Sequence, residues 1–573
     1  MADAVISWVG GPIVHGRPKG SFAVGEAITV SDTQLLGEVI RVAHDRIVAQ
    51  IYGDTTGLRP GTRLEGTGRA LSVTLGPHLL GGIFDGLLRP LVGDDPTDRS
   101  VVFEPGLSLG DTILPGQSIG AVVENGTKRQ IPTPPGLGGT IETILPAGTY
   151  PMAEPVAQVR GEDGVVHGLG MLEIWPIRRS RPIQRRLVPN RPMVTGQRIL
   201  DSLFPVARGG KAAIPGGFGT GKTVLQETLA KWCDADIIVY VGCGERGNEM
   251  AEVLHEFPQL LDPRTGRPLM ERTVVIANTS NMPVAAREAS IYTAVTVGEY
   301  FRDQGLHVAL MADSTSRWAE ALREVSGRLG ELPAEAGYPA YLSSRLAEFY
   351  ERAARVETLS GAEGSLTLIG AVSPPAGDFS EPVTSHTKRY VRSFWGLDRE
   401  RAQARFYPAI HPLQSYSEDA EAFAAWWAAK GNDQWDAQRR MMLTLLEEEA
   451  RLERMTRIVG KDALPPSQQM VITAADLINE AILRQSAFSE NDRYCSPARQ
   501  TRMLRLVIRA IDLGNAALEA GVAPQDIASL PVLRQLKRMG EDIAEDDPAA
   551  FDRLGRDLER AFANLSEEVP HAS

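Results

Sequence analysis

The chain has 573 residues, more than one hydrophobic core usually organises, so we expect several domains. Hydrophobic residues make up 43% of it and charged residues 23%, which excludes a wholly disordered, collagen-like or coiled-coil protein. The formal net charge is −12, and this acidic balance lacks the surplus of Lys and Arg that general nucleic-acid binding requires. We therefore expect no nucleic-acid partner.

The cysteines and the apolar runs bear on the cellular compartment. Cys233, Cys243 and Cys495 are too few and too scattered for a disulfide scaffold, and they form no CxxC pair. The N-terminus lacks the basic and apolar segments of a signal peptide, and no stretch approaches the roughly 18 uncharged apolar residues that span a bilayer. These patterns favour the reducing cytoplasm and contact with a membrane only through partners.

The beginning of the chain is rich in glycine, with 16 glycines in the first hundred residues. Short apolar runs such as 27–30 and 37–42 lie between turn residues, which predicts a β-barrel over residues 1–75. Residues 76–109 are interpreted as a connector. Residues 110–185 keep this character and add prolines, so we expect a second, inserted β-rich module there.

The stretch 177–192 forms a boundary after this module, and five arginines lie close together in its first part: Arg178, Arg179, Arg181, Arg185 and Arg186. Two interpretations are open, a solvated connector or a contact with an anion or a partner. The charge run favours the solvated connector.

Residues 186–415 change to short apolar runs that alternate with amphipathic stretches. The runs predict strands at 212–214, 237–241, 274–277, 308–311 and 366–369. The stretches 224–232, 285–301 and 317–329 predict helices between them. Uncharged strands separated by helices are typical of a parallel sheet covered on both faces, as in α/β nucleotide-binding domains.

The last part, residues 416–573, is predicted to be helical. Apolar residues recur at the helical spacing i, i+3, i+4, i+7 and i+8 in Ala474, Leu477, Ile478, Ala481 and Ile482. This pattern predicts a bundle of packed helices.

The strongest local signal is a phosphate-binding loop that fits the P-loop pattern G-x-x-x-x-G-K-[ST]: Gly216, Gly217, Phe218, Gly219, Thr220, Gly221, Lys222 and Thr223. Its glycines let backbone N–H groups turn toward phosphate oxygens at the start of a helix that continues through Val224. In such loops the lysine reaches the β- and γ-phosphates, and the hydroxyl of the last residue binds Mg²⁺. The sequence therefore predicts a site for ATP or ADP with Mg²⁺.

Two later strands end in charged residues. The run 308–312 ends in Asp313, the position of the Walker-B carboxylate that holds the Mg²⁺ shell, and Arg317 follows one helical turn on. The strand predicted from the run 237–241 leads to Glu245 and Arg246, which offer a carboxylate for the attacking water and a cation for phosphoryl charge. From the spacing alone, Glu249 and Glu252 compete with Glu245 for the role of general base.

Aromatic residues that could stack on adenine occur near the end of the α/β region and in the helical region, among them Tyr407 and Phe488. Taken singly, each is as well explained by packing in a core.

Together these motifs resemble the catalytic A subunit of the V/A-type rotary ATPases, a class that includes the bacterial and archaeal ATP synthases. The resemblance covers nearly the whole chain and is carried by segments 76–91, 216–223, 242–249, 311–318 and 407–413. The module at 110–185 matches the insertion that separates A subunits from F-type β chains and from non-catalytic B subunits. Eukaryotic relatives have a cysteine where this chain has Thr220, which argues against a regulatory disulfide and favours a prokaryotic source.

The resemblance implies a role for each candidate residue. Lys222 and Thr223 would bind phosphate and Mg²⁺, and Asp313 would reach the metal through water. Glu245 would be the general base, Arg246 and Arg317 would contact phosphate, and Tyr407 and Phe488 would border the adenine.

It also implies an assembly. A and B subunits would alternate in a hexamer around a central shaft, with peripheral stalks and a membrane sector carrying H⁺ or Na⁺. This chain would then lie at the cytoplasmic face of the cell membrane without entering it.

Three alternatives share the P-loop core. A hexameric RNA translocase is disfavoured by the net charge of −12. A flagellar or type III export ATPase would lack an insertion as long as 110–185. A nucleotide-binding subunit without turnover is disfavoured by the intact Lys222, Thr223 and Glu245.

Overall fold

The computed structural model describes residues 2–124, 126–460 and 463–567, without the side chains of 248, 249, 252, 254, 457–459, 566 and 567. The chain divides into two compact units. The first unit comprises Met1–Val188, Arg208–Lys211 and Ala235–Val391. The second unit comprises Pro189–Ala207, Ala212–Asp234 and Arg392–Ser573.

The first unit opens with a closed six-stranded barrel. Its strands are β1 (Asp3–Gly10), β2 (Ile13–Pro18), β3 (Glu26–Val30), β4 (Leu36–Val42), β5 (Ile47–Ile51) and β6 (Arg63–Ala70). They are hydrogen-bonded in the order β1-β2-β5-β4-β3-β6, and the closure of the sheet pairs both of its edges. Ile28, Val39, Ile47 and Leu64 fill the interior.

A β-rich module follows, and the chain enters and leaves it at one place. The entering strand β7 (Ser72–Leu75) pairs antiparallel with the leaving strand β17 (Glu173–Pro176). Because these two strands are neighbours, the module is accommodated without separating the barrel from the rest of the first unit. A short strand, β8 (Ile83–Phe84), lies between β7 and the module.

The module consists of two four-stranded sheets around one apolar core. One sheet has the order β12-β11-β9-β14 and the other β10-β13-β15-β16. Their strands are β9 (Ser100–Pro105), β10 (Thr112–Ile113), β11 (Ser118–Glu124), β12 (Thr127–Pro132), β13 (Gly139–Ile144), β14 (Gly148–Pro151), β15 (Pro155–Gly161) and β16 (Val166–Gly170). Phe103, Val122, Ile141 and Val159 are fully buried between the sheets. Strand β9 lies within the stretch 76–109 that the sequence suggested as a connector.

The rest of the first unit is a parallel sheet with helices. Its strands are β20 (Ile237–Glu245), β21 (Thr273–Thr279), β22 (His307–Asp313) and β24 (Glu363–Val372), in the order β24-β22-β20-β21-β8. Strand β23 (Ala354–Glu357) adds antiparallel to β24, and β18 (Arg185–Arg186) pairs with β23. Nearly every residue of these parallel strands is buried, as expected for a sheet covered on both faces. The helices are α3 (Gly247–Glu256), α4 (Val284–Arg302), α5 (Thr315–Arg328), α6 (Leu342–Tyr350) and α7 (Pro382–Lys388).

The interpretation of the arginine run as a solvated connector was wrong for two of its members. Arg181 is 4% exposed and pairs with Glu173 and Asp303. Arg178 donates to Glu38 of the barrel and to Glu288 of α4, with distances of 2.7 to 3.3 Å. Since both carboxylates lie more than a hundred residues away in sequence, the local charge run could not reveal these ion pairs.

Within the part of the chain that the structure describes, three strands and the remaining helices belong to the second unit, apart from Lys211 at the start of the first of these strands. Strand β19 (Lys211–Pro215) pairs parallel with β25 (Ser393–Phe394), which pairs antiparallel with β26 (Tyr416–Ser417). The helices are α1 (Arg198–Leu203), α2 (Lys222–Trp232), α8 (Arg399–Gln403), α9 (Ala424–Ala429), α10 (Trp435–Val459), α11 (Pro466–Ile478), α12 (Pro497–Glu519), α13 (Pro524–Ser529), α14 (Pro531–Asp542) and α15 (Pro548–Glu567). A π-helical turn, Asn479–Leu483, continues α11.

The long helices of the second unit pack along their apolar stripes. Leu504, Val507 and Ile511 of α12 are buried at the predicted helical spacing. Ser496 begins α12 by accepting a hydrogen bond from the backbone N–H of Arg499. No helix among the described residues is both long and apolar enough to cross a membrane.

Candidate active site

The P-loop connects β19 to α2 in the second unit, as the sequence predicted. Gly219 and Gly221 have φ values of 75° and 86°, a left-handed conformation that favours glycine. Gly221 directly precedes the first residue of α2, Lys222. The loop therefore ends at a helix N-terminus, where the backbone N–H groups and the helix dipole favour an anion.

Side chains of the loop make hydrogen bonds to its own backbone. Lys222 Nζ donates to the carbonyl oxygens of Gly216 and Gly217 at 2.7 and 3.0 Å. The buried Thr220 hydroxyl donates to the Gly217 carbonyl at 2.8 Å. Phe218 at the tip of the loop is 82% exposed.

A cavity of about 690 Å³ opens beside this loop within the second unit. Gly219, Thr220, Gly221 and Val224 line one side of it. The other predicted nucleotide residues, Tyr407 and Phe488, line it as well, together with Phe406 and the backbone around Ser486. The fold thus brings the P-loop and the two candidate adenine residues to one pocket.

The two aromatic residues differ in how they are held. Tyr407 hydrogen-bonds Thr228 of α2 through its hydroxyl at 2.8 Å, and burial raises the pKa of Tyr407 to about 12, so the phenol stays neutral. Phe488 is 99% exposed and lines the cavity. An aromatic face can stack on a purine without a sequence-specific hydrogen bond.

Residues that the sequence did not single out hold the loop that carries Phe488. Arg198 of α1 is 2% exposed and donates to Asp492 and to the carbonyl oxygens of Ile482 and Arg484. Gln485 donates to the carbonyl oxygens of Gly196 and Asp492 at 2.9 and 2.8 Å. Because Arg198 and Asp492 are nearly three hundred residues apart, no local pattern marks this pair.

In the first unit, the predicted chemical groups gather at the carboxyl ends of two neighbouring strands. Glu245 is the last residue of β20 and Asp313 the last of β22, and Gly242 pairs with Asp313 across the parallel ladder. Asp313 is 3% exposed, and the hydroxyl of Tyr240 approaches its carboxylate at 3.4 Å. Ligands of α/β sheets bind at this edge.

The two candidate arginines begin the helices that follow these strands. Arg246 directly precedes α3. Arg317 is in the first turn of α5, is partly exposed, and donates to Glu320 at 3.0 Å. A Cβ at Gly244, where φ is 72°, would lie 3.0 Å from Arg317 Cβ, so the loop backbone packs directly on α5. The side chains of Glu249 and Glu252, the competing acids, lie outside the described residues.

Four family models match successive parts of the chain. "ATP synthase alpha/beta family, nucleotide-binding domain" matches residues 196–417, and the β-barrel and barrel-sandwich models of the same family match 6–68 and 96–178. "C-terminal domain of V and A type ATP synthase" matches residues 424–516. The fold and the P-loop pocket therefore define a nucleotide-binding subunit of the ATP synthase alpha/beta class.

Curated relatives narrow this class. The A subunit of the A-type ATP synthase of Methanopyrus kandleri is 47% identical over 98% of each chain, and that of Thermococcus onnurineus is 48% identical over 97% of this chain and 98% of the relative. A V-type ATP synthase alpha chain of Acetivibrio thermocellus is 49% identical over 99% of this chain and 100% of the relative. The chain belongs to this family of A-type ATP synthase A subunits and V-type ATP synthase alpha chains.

A solved structure shows the same fold at lower sequence similarity. EscN, described as the assembled ATPase of the type III secretion system of enteropathogenic E. coli, has a TM-score of 0.66 and 24% identity, covering 88% of this chain and 100% of EscN. At this identity the comparison supports the fold alone. The predicted fold class and the predicted rotary ATPase family are confirmed, and the family assignment favours neither the export ATPase nor the RNA translocase.

Proposed function

We propose that the chain is the catalytic subunit of a V/A-type rotary ATP synthase, hydrolysing or synthesising ATP in a reaction coupled to ion transport. The observation that carries this proposal is the intact P-loop beside a pocket lined by Tyr407 and Phe488. The relatives that share nearly the full length of the chain are named ATP synthase A subunits or alpha chains.

In the proposed reaction the second unit binds the nucleotide. Tyr407 and Phe488 would border the adenine. The P-loop backbone from Gly216 to Thr223 would bind the phosphates, with Lys222 compensating their charge. Lys222 would then exchange its hydrogen bonds to the loop carbonyls for bonds to phosphate oxygens.

The residue types fit a magnesium ion. Thr223 and Asp313 would hold it, Asp313 through water, and both offer the oxygen ligands that Mg²⁺ prefers. Among the described residues there is no cluster of three or more His, Cys, Asp or Glu side chains that could hold a metal. When bound, Mg²⁺ would neutralise charge on the β- and γ-phosphates.

Residues of the first unit would act on the attacking water and the phosphoryl group. Glu245 would orient the water and accept its proton as the water oxygen bonds to the γ-phosphorus. The bond from that phosphorus to the bridging oxygen breaks, and ADP leaves with the electron pair. Arg246 and Arg317 would stabilise the negative charge that develops. Synthesis is the reverse of the same steps.

The assembly is proposed on the family assignment. B subunits would alternate with this chain in a hexamer, with an arginine of B completing each site, around a central shaft and beside peripheral stalks. The membrane sector would conduct H⁺ or Na⁺, and this chain would lie at the cytoplasmic face of the cell membrane. We propose no role for nucleic acid, because a net charge of −12 lacks the surplus of Lys and Arg that general nucleic-acid binding requires.

We propose for this assembly the division that the sequence suggested, with the start of the inserted module moved from residue 110 back to β9, which lies within the suggested connector 76–109. The barrel would extend over 1–75, the module would end at 185, the ATPase core would extend over 186–415 and the helical domain over 416–573. Each part would contribute differently to the assembly, and only the core would supply the residues that carry out the chemical step.

Nucleotide binding is tested with Lys222→Ala. We expect both ATP affinity and turnover to fall, because the variant loses the charge that compensates the phosphates. Lys231→Ala, at the other end of α2, is the matched control and should bind ATP as the natural chain does. Unchanged ATP affinity in Lys222→Ala would remove the P-loop from the proposal.

The assembly is tested by measuring the mass and composition of the native complex extracted from membranes. We expect a B-like partner in equal number, and poor ATP hydrolysis by the isolated chain. High activity in a verified monomer would contradict the hexamer, and turnover stimulated by RNA would support a translocase instead.

A further inference from the structure

Arg287, in the first turn of α4, packs against the loop that carries Glu245. Its side chain is 9% exposed and lies directly under Gly244. A Cβ at Gly244 would lie 2.7 Å from Arg287 Cδ and 2.9 Å from Nε. Any side chain at Gly244 would therefore displace Arg287, and the loop and the arginine fit each other closely.

A chain of two hydrogen bonds links Arg287 to Glu245. Arg287 Nη2 donates to the carbonyl oxygen of Ser280 at 2.9 Å. The backbone N–H of Ser280 donates in turn to the carbonyl oxygen of Glu245 at 2.9 Å. Ser280 follows the last residue of β21, so Arg287 holds the end of that strand against the end of β20.

The regular ladder between these strands is interrupted at this point. The register of β20 against β21 shifts between Cys243 and Glu245, which pairs with Thr279. A register shift re-aims the side chains that follow it and leaves the backbone less constrained by the sheet. The position of Glu245 therefore depends on contacts beyond the strand pairing, and the contact through Ser280 is one of them.

Arg287 is itself firmly held. Its carbonyl oxygen accepts hydrogen bonds from Ser290 Oγ at 2.8 Å and from Cys243 Sγ at 3.4 Å. The next residue, Glu288, is anchored by Arg178 and accepts a hydrogen bond from Trp318 Nε1 of α5 through its carbonyl oxygen. The base of α4 thus provides a rigid platform for the Arg287 side chain.

Arg287 Nε is buried and makes no hydrogen bond to any described residue. A buried polar atom without a partner is unfavourable, and an apolar side chain could fill the same space without this cost. Packing alone therefore does not explain a guanidinium at this position. Its hydrogen bond to the Ser280 carbonyl oxygen and its charge do.

We infer that Arg287 is a positioning residue that keeps Glu245 in place for catalysis. The inference rests on the proposed role of Glu245 as general base. A base must be held within about 0.5 Å of its working position, and a displacement of about 1 Å costs on the order of 100-fold in rate. Arg287 would therefore affect turnover far more than nucleotide binding.

The test compares Arg287→Met with Arg287→Lys in the purified native complex. Met keeps the stem that packs under Gly244 but cannot donate to Ser280, whereas Lys keeps a charged donor. We expect Arg287→Met to lower kcat for ATP hydrolysis by roughly 10- to 100-fold, with KM changed less than about threefold. Arg287→Lys should recover most of the lost rate. Should Arg287→Met fail to assemble, Arg287→Gln is used instead, because the shorter Gln side chain is polar but cannot extend to the Ser280 carbonyl oxygen.

Arg328→Met is the matched control, because Arg328 lies at the far end of α5 and pairs there with Glu324. It should leave kcat unchanged. An equal loss of kcat in Arg287→Met and Arg287→Lys, or a loss that follows a lower melting temperature, would overturn the inference in favour of a purely structural role.

A double variant separates this inference from the proposed function. If Arg287 acts through Glu245, adding Arg287→Met to Glu245→Gln should cause no further loss of rate, since the group being positioned is already inactive. Additive losses would contradict the relay. Normal hydrolysis by Glu245→Gln would refute the general base itself, whereas an inactive Glu245→Gln with a fully active Arg287→Met would refute only the positioning role.

Discussion

The two candidate regions of this protein expose their functional groups to different degrees. In the nucleotide pocket of the second unit, Phe218 and Phe488 are 82% and 99% exposed. At the strand ends of the first unit, Asp313 is 3% exposed, Glu245 is half-buried and only Arg246 is exposed, and Arg287 of α4 beneath their loop is 9% exposed. A binding surface can remain open because the ligand itself covers it, whereas groups that act on a reacting bond must be held precisely before the ligand arrives.

Arginines of the two units also differ in the partners that they hold. In the second unit, Arg198 and Arg499 donate largely to backbone carbonyls, among them those of Arg484 and Gly540, and so hold loops. In the first unit, Arg178 and Arg181 pair with carboxylates on separate elements. These four arginines therefore show two uses of a guanidinium, one that holds a loop through its backbone carbonyls and one that joins carboxylates on separate elements.

The largest expected effect concerns the strand-end region. Glu245→Gln should lower ATP hydrolysis by roughly 10²- to 10⁴-fold, because an amide cannot accept the proton of the attacking water. Nucleotide affinity should change less than about twofold, since the pocket is built in the second unit. Glu256→Gln, at the exposed end of α3, is the control for kcat and for ATP affinity measured by equilibrium binding. Undiminished ATP hydrolysis by Glu245→Gln would show that the strand-end region does not supply the general base.

The charge pairs of the first unit are tested with Arg178→Met. Removing this side chain leaves the buried carboxylates of Glu38 and Glu288 uncompensated, so we expect the free energy of unfolding to fall by about 3–5 kcal/mol. The exposed pair of Arg509 and Glu559 in the second unit provides the control, and Arg509→Met should cost about 0–1 kcal/mol. Urea unfolding measures both. Equal effects would show that the Arg178 cluster holds the unit no better than a surface ion pair.

The interior of the first unit should also make stability depend on pH. Burial lowers the pKa of His78 from its ordinary 6.5 to about 4, and its Nδ1 has no hydrogen-bond partner within the described part of the chain. Below pH 6.5 the unfolded chain therefore binds a proton that the folded chain excludes until about pH 4. Above pH 6.5 His78 is neutral in both the folded and the unfolded chain and does not lower the free energy of unfolding. As the pH falls from 6.5 to about 4, the free energy of unfolding decreases by about 3 kcal/mol in total because of His78.

His78→Leu should flatten the dependence of the unfolding free energy on pH in this window. If His78→Leu does not alter the slope of the unfolding free energy against pH, groups other than His78 cause the loss of stability in acid.

The smallest effect is expected in the open pocket. Phe488→Ala should weaken ATP binding by about 1–2 kcal/mol, roughly 5- to 30-fold, through the loss of stacking on the base. The melting temperature should not change, because a side chain that is 99% exposed supports little packing. Phe488→Tyr should restore affinity. Leu332→Ala, at a residue that is 91% exposed in the first unit, should have no effect on binding. A loss of stability in Phe488→Ala would show that the ring has a structural role instead.

Local patterns predicted much of the fold. Apolar runs located β19, β20, β21, β22 and β24, because strands buried on both faces require uninterrupted apolar residues. Helical spacing located α2, α4, α5 and the end of α11, because at least one face of each of these helices is buried. The P-loop glycines were recognisable because their backbone conformation admits few other residues.

Contacts between distant residues were not predictable in the same way. Arg178 and Arg181 look like solvated charges in the sequence, and only the fold brings them to Glu38, Glu288, Glu173 and Asp303. Arg198 pairs with Asp492, which lies nearly three hundred residues later in the chain. Arg287 contacts the loop at Gly244, which lies about forty residues earlier.

By itself, then, the sequence determined which segments form strands, helices and a phosphate-binding loop, because those depend on short-range sterics and on burial patterns within a few residues. Only the tertiary structure decided which charged side chains are buried and which groups they hold in place. Such pairs form because a charge that the fold removes from water needs an opposite charge beside it. The residues adjacent to each partner in the sequence do not indicate this pairing, because the partners are far apart along the chain.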